Sequence, residues 1–376
     1  MQNEAALQRA LARAKVLVCC GAGGVGKTTT ATALALAAAK AGRRVLALTI
    51  DPSKRLAELF GLAADLPAPV PAPAPLRRAA GLGDDAVLDV WVLDVARVVE
   101  GAMARLGPDA AEELRSNRIY QKARTMVTGM QEYAAMECLY AFTEGGAYDL
   151  VVLDTAPARH ALDFLEGPER LAQFLDGRIA QLFFPAGESG GLRRGAGRVL
   201  GRVLSAALGE ETYRDLQHFL ATFSGLFARV NEHAKVMRSR LADPGYACFL
   251  LVTAPSPESL ADARFFRQRT AALSIPFGGF VLARSHAAES AAELATEADL
   301  EGEGPLTPAC RSALAKLQRL GALEAAERGR HRALLAELRA DAAPDGFALA
   351  APFLPPGGLS EQNLVVLGRA LAGASS

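Results

Sequence analysis

The sequence lacks a charge bias. Its 41 Lys and Arg balance 41 Asp and Glu, so the formal net charge is zero. That removes the electrostatic case for nucleic acid as the main partner. Uninterrupted apolar runs long enough to cross a bilayer are also missing. The first residues, Met1 to Ala14, read as a mixed-charge helix without the apolar core of a signal peptide. The five cysteines, Cys19, Cys20, Cys138, Cys248 and Cys310, form no Cys-x-x-Cys pair, and several fall in expected core strands. A reduced, cytoplasmic protein is the expectation. No internal repeat is visible, so one core rather than a tandem pair is expected.

What the sequence does have is a stretch that organises the rest: Gly21-Ala22-Gly23-Gly24-Val25-Gly26-Lys27-Thr28, then Thr29. This is the phosphate-loop spacing of Gly, four residues, Gly-Lys-Thr. An apolar run, Val16 to Cys20, leads in, and a helical run rich in Ala and Leu leads out. Strand, Gly-rich turn and helix are the context the motif needs. Glycines let successive backbone N–H groups curl toward phosphate oxygens, and the helix N-terminus adds a positive dipole end. Lys27 is then expected to reach the β- and γ-phosphates, and the Thr28 hydroxyl to ligate Mg²⁺.

Further apolar runs follow at Arg44–Ile50, Val87–Leu93, Tyr148–Asp154, Cys248–Thr253, Gly278–Ala283 and Phe347–Ala351. They alternate with helical stretches at Ala96–Thr143, Ala172–Asp243 and Ala287–Ala342, and a last helix at Ser360–Leu371. The expected fold is α/β: a doubly wound, mostly parallel sheet as the core of a phosphate-loop NTPase. One domain would span 1–376, with helical insertions at approximately 96–145 and 172–245. Pro67, Pro69, Pro71, Pro73 and Pro75 alternate with Ala or Val. They read as a loop or spacer, unable to form a helix or central strand.

Two expected strands end in acids, Asp51 and Asp154. Asp154 has the Walker B form and would help hold Mg²⁺. Asp51 would orient or deprotonate the attacking water, or cap a helix with Pro52 at N1. With Thr28, both acids are candidate Mg²⁺ residues.

On Gly21–Thr29, Thr49-Ile50-Asp51-Pro52, Asp154-Thr155-Ala156-Pro157 with His160, and Val252–Leu260, the chain resembles the ArsA-type ATPases. These are the arsenite-pump and tail-anchored-protein targeting ATPases and their bacterial anion-transporting relatives. The resemblance implies ATP and Mg²⁺ as cofactors, Asp51 in switch I and Asp154 in switch II. It also implies a nucleotide-driven dimer, either a homodimer or a heterodimer with a related ATPase. Three departures stand out. The family's signature lysine, which reaches the partner's nucleotide, is Ala22 here. Its adenine-reading asparagine falls at Ala283. Its zinc-binding cysteine pair and arsenite-binding cluster are missing. Arg159, in the switch II stretch, is the candidate replacement for the missing cation; the alternatives are pairing with Asp163 or a partner that brings its own lysine.

Arg194, Arg198 and Arg202 oppose Val199, Leu200, Val203, Leu204, Ala207 and Leu208 on a basic amphipathic helix. Leu216, Phe219, Leu220, Phe223, Leu226, Phe227 and Val230 form a second apolar stripe. Packing against the protein's own core is one reading. A groove for an apolar helical client or a membrane surface is the other. His218 and His233 read as surface or packing residues. The expected function is a Mg²⁺-dependent dimeric ATPase switch that handles a protein or membrane-associated client. The rival readings are a partitioning ATPase of the MinD/ParA group and a weakly hydrolysing nucleotide-dependent scaffold.

Overall fold

The computed structural model describes residues 2–51, 61–62, 66–105, 107–118, 131–155, 206, 209–289, 296, 307–342, 344, 346–354 and 360–373. Strand β1 (Val16–Gly21) enters the phosphate loop and helix α2 (Lys27–Lys40) leaves it, after α1 (Gln2–Arg13). Strands β2 (Val45–Thr49), β3 (Val70–Pro71) and β4 (Leu88–Val92) follow, with α3 (Ala74–Ala80) between the last two. Next come α4 (Val95–Ala104), α5 (Pro108–Ser116), α6 (Gln131–Glu144), β5 (Leu150–Asp154) and α7 (Glu210–Leu241). The chain continues through β6 (Ala247–Thr253), α8 (Pro257–Ala272), β7 (Phe277–Ser285), α9 (Pro308–Ala342), β8 (Phe347–Pro352) and α10 (Glu361–Ala372).

The strands form one sheet in the order β3-β4-β2-β5-β1-β6-β7-β8. Every pairing is parallel except the short edge pair β3–β4. The doubly wound α/β expectation therefore holds. β1 lies at its centre, with β5 on one side and β6 on the other. Helices cover both faces, which is why these strands are apolar throughout rather than alternating. Leu17, Cys19, Val45, Ala47, Leu150, Val152 and Leu250 pack into the cluster that holds α1, α2 and α10 residues. Val16, Val18, Cys20, Leu46, Leu48, Val151 and Phe249 pack into the opposite one, with residues of α6 to α9. Helix α2 is buried nearly all round, consistent with its unbroken Thr, Ala and Leu sequence.

The Pro-rich stretch departs from expectation. Val70–Pro71 pairs antiparallel with β4, and α3 starts at Ala74 after Pro73, with Pro75 in its first turn. An edge strand and a helix's first turn are the places where a missing N–H costs little.

Val230, the last member of the second apolar stripe, is buried. Beyond it, Ala234, Met237 and Leu241 of α7 join Ala135, Met136 and Leu139 of α6 in the core. This end of α7 packs inward. The side chains of Phe219, Leu220, Phe223, Leu226 and Phe227 lie outside the described residues, as does the basic amphipathic helix. His233 is more than a bland packing residue. Its Nδ1 lies 2.8 Å from Glu137 Oε2, and its ring stacks on Tyr140 at 3.8 Å between centroids. Glu137, buried, is bonded from its other side by Arg105. This group ties α6 and α7 to the residue that ends α4.

Candidate functional site

The parallel sheet aims the ends of β1, β2 and β5 at one edge. Thr49 pairs with Asp154, and Cys19 with Asp154, so Asp154 sits between the phosphate loop and the β2 end. Gly21 ends β1 at φ +151°, and a Cβ there would stand 2.1 Å from the Val252 carbonyl oxygen of β6. Only glycine lets the loop begin this close to the sheet. Gly26, at φ +101°, caps α2 in a left-handed conformation without a side-chain cap. The first N–H groups of α2 are thereby left to the loop side, as anion binding at a helix start requires.

Lys27 is buried, and its Nζ donates to the Ala22 carbonyl at 2.8 Å. The ammonium is turned back over the Ala22–Gly26 curl. Thr28 Oγ1 donates to Asp154 Oδ2 at 2.7 Å. Thr49 Oγ1 donates to the same carboxylate oxygen at 3.2 Å and accepts from the Asp51 N–H at 3.1 Å. Thr155 anchors the start of the following segment, its hydroxyl donating to the Cys19 carbonyl at 3.0 Å. Asp51 is 6% exposed and Asp154 2% exposed.

Burial pushes the Asp154 carboxyl up to about 6, and nearby Asp51 pushes the same way. The Thr28 and Thr49 hydroxyls and the Lys27 charge pull against that rise. Asp154 Oδ1 is buried with no hydrogen-bond partner. An orphaned carboxylate oxygen beside a threonine hydroxyl is an all-oxygen donor set, which suits a hard cation such as Mg²⁺. Among the described residues no cluster of three or more His, Cys, Asp or Glu could hold a metal by itself. Mg²⁺ commonly takes only one or two carboxylates and completes its shell with water and phosphate.

A cavity of about 220 Å³ adjoins the loop. Gly26, Thr29 and Thr30 form one side, Ala283 and Arg284 another, and Pro352, Phe353 and Leu354 a third. Pairing between β7 and β8 slips between Leu282 and Ser285, and Arg284 adopts φ +55°. A bulge thus interrupts the strand end at the two residues that line the cavity. Such left-handed positions are uncommon for non-glycine residues and concentrate at functional sites.

Of the residues singled out from sequence, Gly21 to Thr29, Asp51 and Asp154 converge at this edge. Arg159, His160, Asp163 and Pro52 lie outside the described residues. Thr49, Thr155 and the 352–354 wall were not singled out for roles of their own. A threonine at the last position of one apolar strand and another just past the end of a second were the available signals for the first two. The wall carries no motif.

The anion-transporting ATPase family matches residues 14–278, more than half of the chain. A Halobacterium salinarum protein named as an arsenical pump-driving ATPase is 32% identical over 170 residues, 42% of this chain and 24% of that protein. The chain therefore spans a minor part of that relative's length. The matched segment runs from two residues before β1 through β6 and into β7, and so contains the loop, Asp51 and Asp154. With the sheet order and the Lys27–Thr28–Asp154 edge in the same segment, the chain belongs to the anion-transporting ATPase family.

Proposed function

We propose that the protein binds ATP with Mg²⁺ and hydrolyses it, as a nucleotide-driven switch. The observation that carries this reading is the Thr28–Asp154 contact beside the buried Lys27, at the mouth of a glycine-built loop. The triphosphate would lie along the N–H groups of Gly23 to Thr28, with the nucleoside in the adjoining cavity. Lys27 would leave the Ala22 carbonyl for the β- and γ-phosphates. Thr28 and Asp154 would hold Mg²⁺, directly and through its water shell, with Asp51 close by. When bound, the ion neutralises charge that develops on the phosphates. Asp51, held by its own N–H on Thr49, would orient the attacking water. Arg159 would supply the cation that Ala22 does not.

As the resemblance implies, the switch would work as a homodimer or as a heterodimer with a related ATPase, and its client would be a protein or a membrane-associated one. No described helix is long and apolar enough to cross a membrane. The client would therefore be met at a surface rather than through a described span.

Lys27→Ala tests the reading. Phosphate release from ATP should fall by at least about a hundredfold, because the loop loses its point charge on the transferring group. Turnover at the parent rate would reject the phosphate-loop assignment.

A further inference from the structure

Three flat rings form a row beside the cavity. His286, just past β7, lies between His331 of α9 and Phe353, which follows β8. Its ring centroid is 5.6 Å from that of His331 and 5.5 Å from that of Phe353, and both interplanar angles are 11°. Phe353 is 54% exposed, yet it lines the cavity. An exposed phenyl ring needs something to hold its orientation, and the row supplies it.

The row is anchored from α9. The backbone N–H of His286 donates to Nδ1 of His331 at 3.1 Å. Nδ1 is therefore an acceptor, and in the neutral ring the proton sits on Nε2. Glu327 Oε1 stands 3.0 Å from Nε2, in a geometry that falls short of a hydrogen bond. Glu289 Oε2 lies 2.8 Å from Nδ1 of His286. Arg332 ties the same turn to α9 by donating to the carbonyls of Ala287 and Glu289. Burial, then His286 and Arg330, hold the His331 imidazole below its ordinary range, and Glu289 acts against them. A proton on Nδ1 would displace the His286 N–H, so acid opposes this arrangement. Facing the two rings, then, are Glu289 from the β7 turn and Glu327, Arg330 and Arg332 from α9, with the uncharged Phe353 from the β8 side.

We propose that His286 and His331 are positioning residues for the nucleoside end of the cleft: their stack sets the Phe353 wall and couples helix α9 to nucleotide affinity. This rests on the reading of the cavity as the nucleoside site. The stack acts on one end only. The phosphate loop and the Thr28–Asp154 contact are built from β1, α2 and β5, whereas the ring row is built from α9 and the segments that follow β7 and β8.

The test measures the dissociation constants of ATP and of inorganic tripolyphosphate by calorimetry, on the full chain, at pH 8. His286→Ala should weaken ATP about three- to tenfold, the scale of a lost aromatic stack. Tripolyphosphate should bind as in the parent. His286→Phe keeps a flat ring in the row and should stay within about twofold of the parent for both ligands. Unchanged ATP affinity in His286→Ala overturns the proposal while the nucleotide reading stands. Equal weakening of both ligands overturns it too, because that marks general damage. If the parent binds tripolyphosphate but not ATP, or neither, the nucleoside reading falls and the proposal with it. A second variant tests the coupling to α9: His331→Ala should weaken ATP about three- to tenfold and leave tripolyphosphate as in the parent. Unchanged ATP affinity in His331→Ala overturns that coupling.

Discussion

Thr28 and Asp154, 126 positions apart in the chain, meet as a hydroxyl donating to a carboxylate at 2.7 Å, while the other oxygen of that carboxylate is buried without a partner. The contact joins the start of α2 to the end of β5, the direct neighbour of β1 in the sheet. It leaves one acceptor site aimed at nothing the described protein provides. A buried carboxylate in that condition is costly unless a cation or a proton arrives.

The first prediction follows from that cost. The Asp154 carboxyl is pushed up to about 6 from an ordinary 3.8. A raised folded value means stability that is fully present below about pH 4 and lost as pH rises through about 6. In metal-free, nucleotide-free protein, Asp154→Asn should therefore be more stable than the parent at pH 8, by about 2–3 kcal/mol. The difference should shrink toward zero below pH 4. Chemical denaturation of both proteins across this range checks it. Lower stability of the variant at pH 8 would mean that the carboxylate is already compensated.

Asp51 gives a different signature. Its backbone N–H is fixed on Thr49, so removing the charge should leave the chain path intact. Asp51→Asn should keep ATP affinity within a few-fold and lose turnover by about 10²–10³. Parallel measurement of the dissociation constant and of single-turnover hydrolysis separates the two. Equal losses in both would make Asp51 a structural cap.

Arg159→Ala should lower kcat strongly, toward the 10³–10⁵ range that a cationic finger is worth, with nucleotide affinity nearly unchanged. A kcat equal to the parent's would exclude Arg159 from that role. Activity that appears only when a related ATPase is added would assign the cation to a partner.

The cysteines make a stoichiometric prediction. Cys19, Cys20, Cys138 and Cys248 are buried, and Cys310 is exposed. Burial pushes the Cys20 and Cys248 thiols up to about 12, and raises Cys19 and Cys138 as well. The thiolate is the reactive form, so these four should be inert in the native state. A thiol-titrating disulfide reagent should count one fast-reacting group per chain natively and five in denaturant. More than one fast group would signal an open sheet edge.

The sequence alone determined the parallel sheet and its phosphate edge, because both are local. Strands covered on both faces must be apolar throughout, and that run is readable at each of Val16 to Cys20, Arg44 to Ile50 and Tyr148 to Asp154. The loop's glycines, lysine and threonine are contiguous, and the two acids each end a visible strand. Tertiary structure decided everything that joins distant positions. The edge strand Val70–Pro71 exists only because β4 offers it a partner. Thr49 became a ligand to Asp154 only through the β2–β5 register. The bulge at Arg284 and the row of His286, His331 and Phe353 depend on where β7, β8 and α9 come to lie. No spacing in the chain encodes a stack among residues 286, 331 and 353. Ring contacts have no sequence period, and they form only after long-range packing has fixed the strands that carry them.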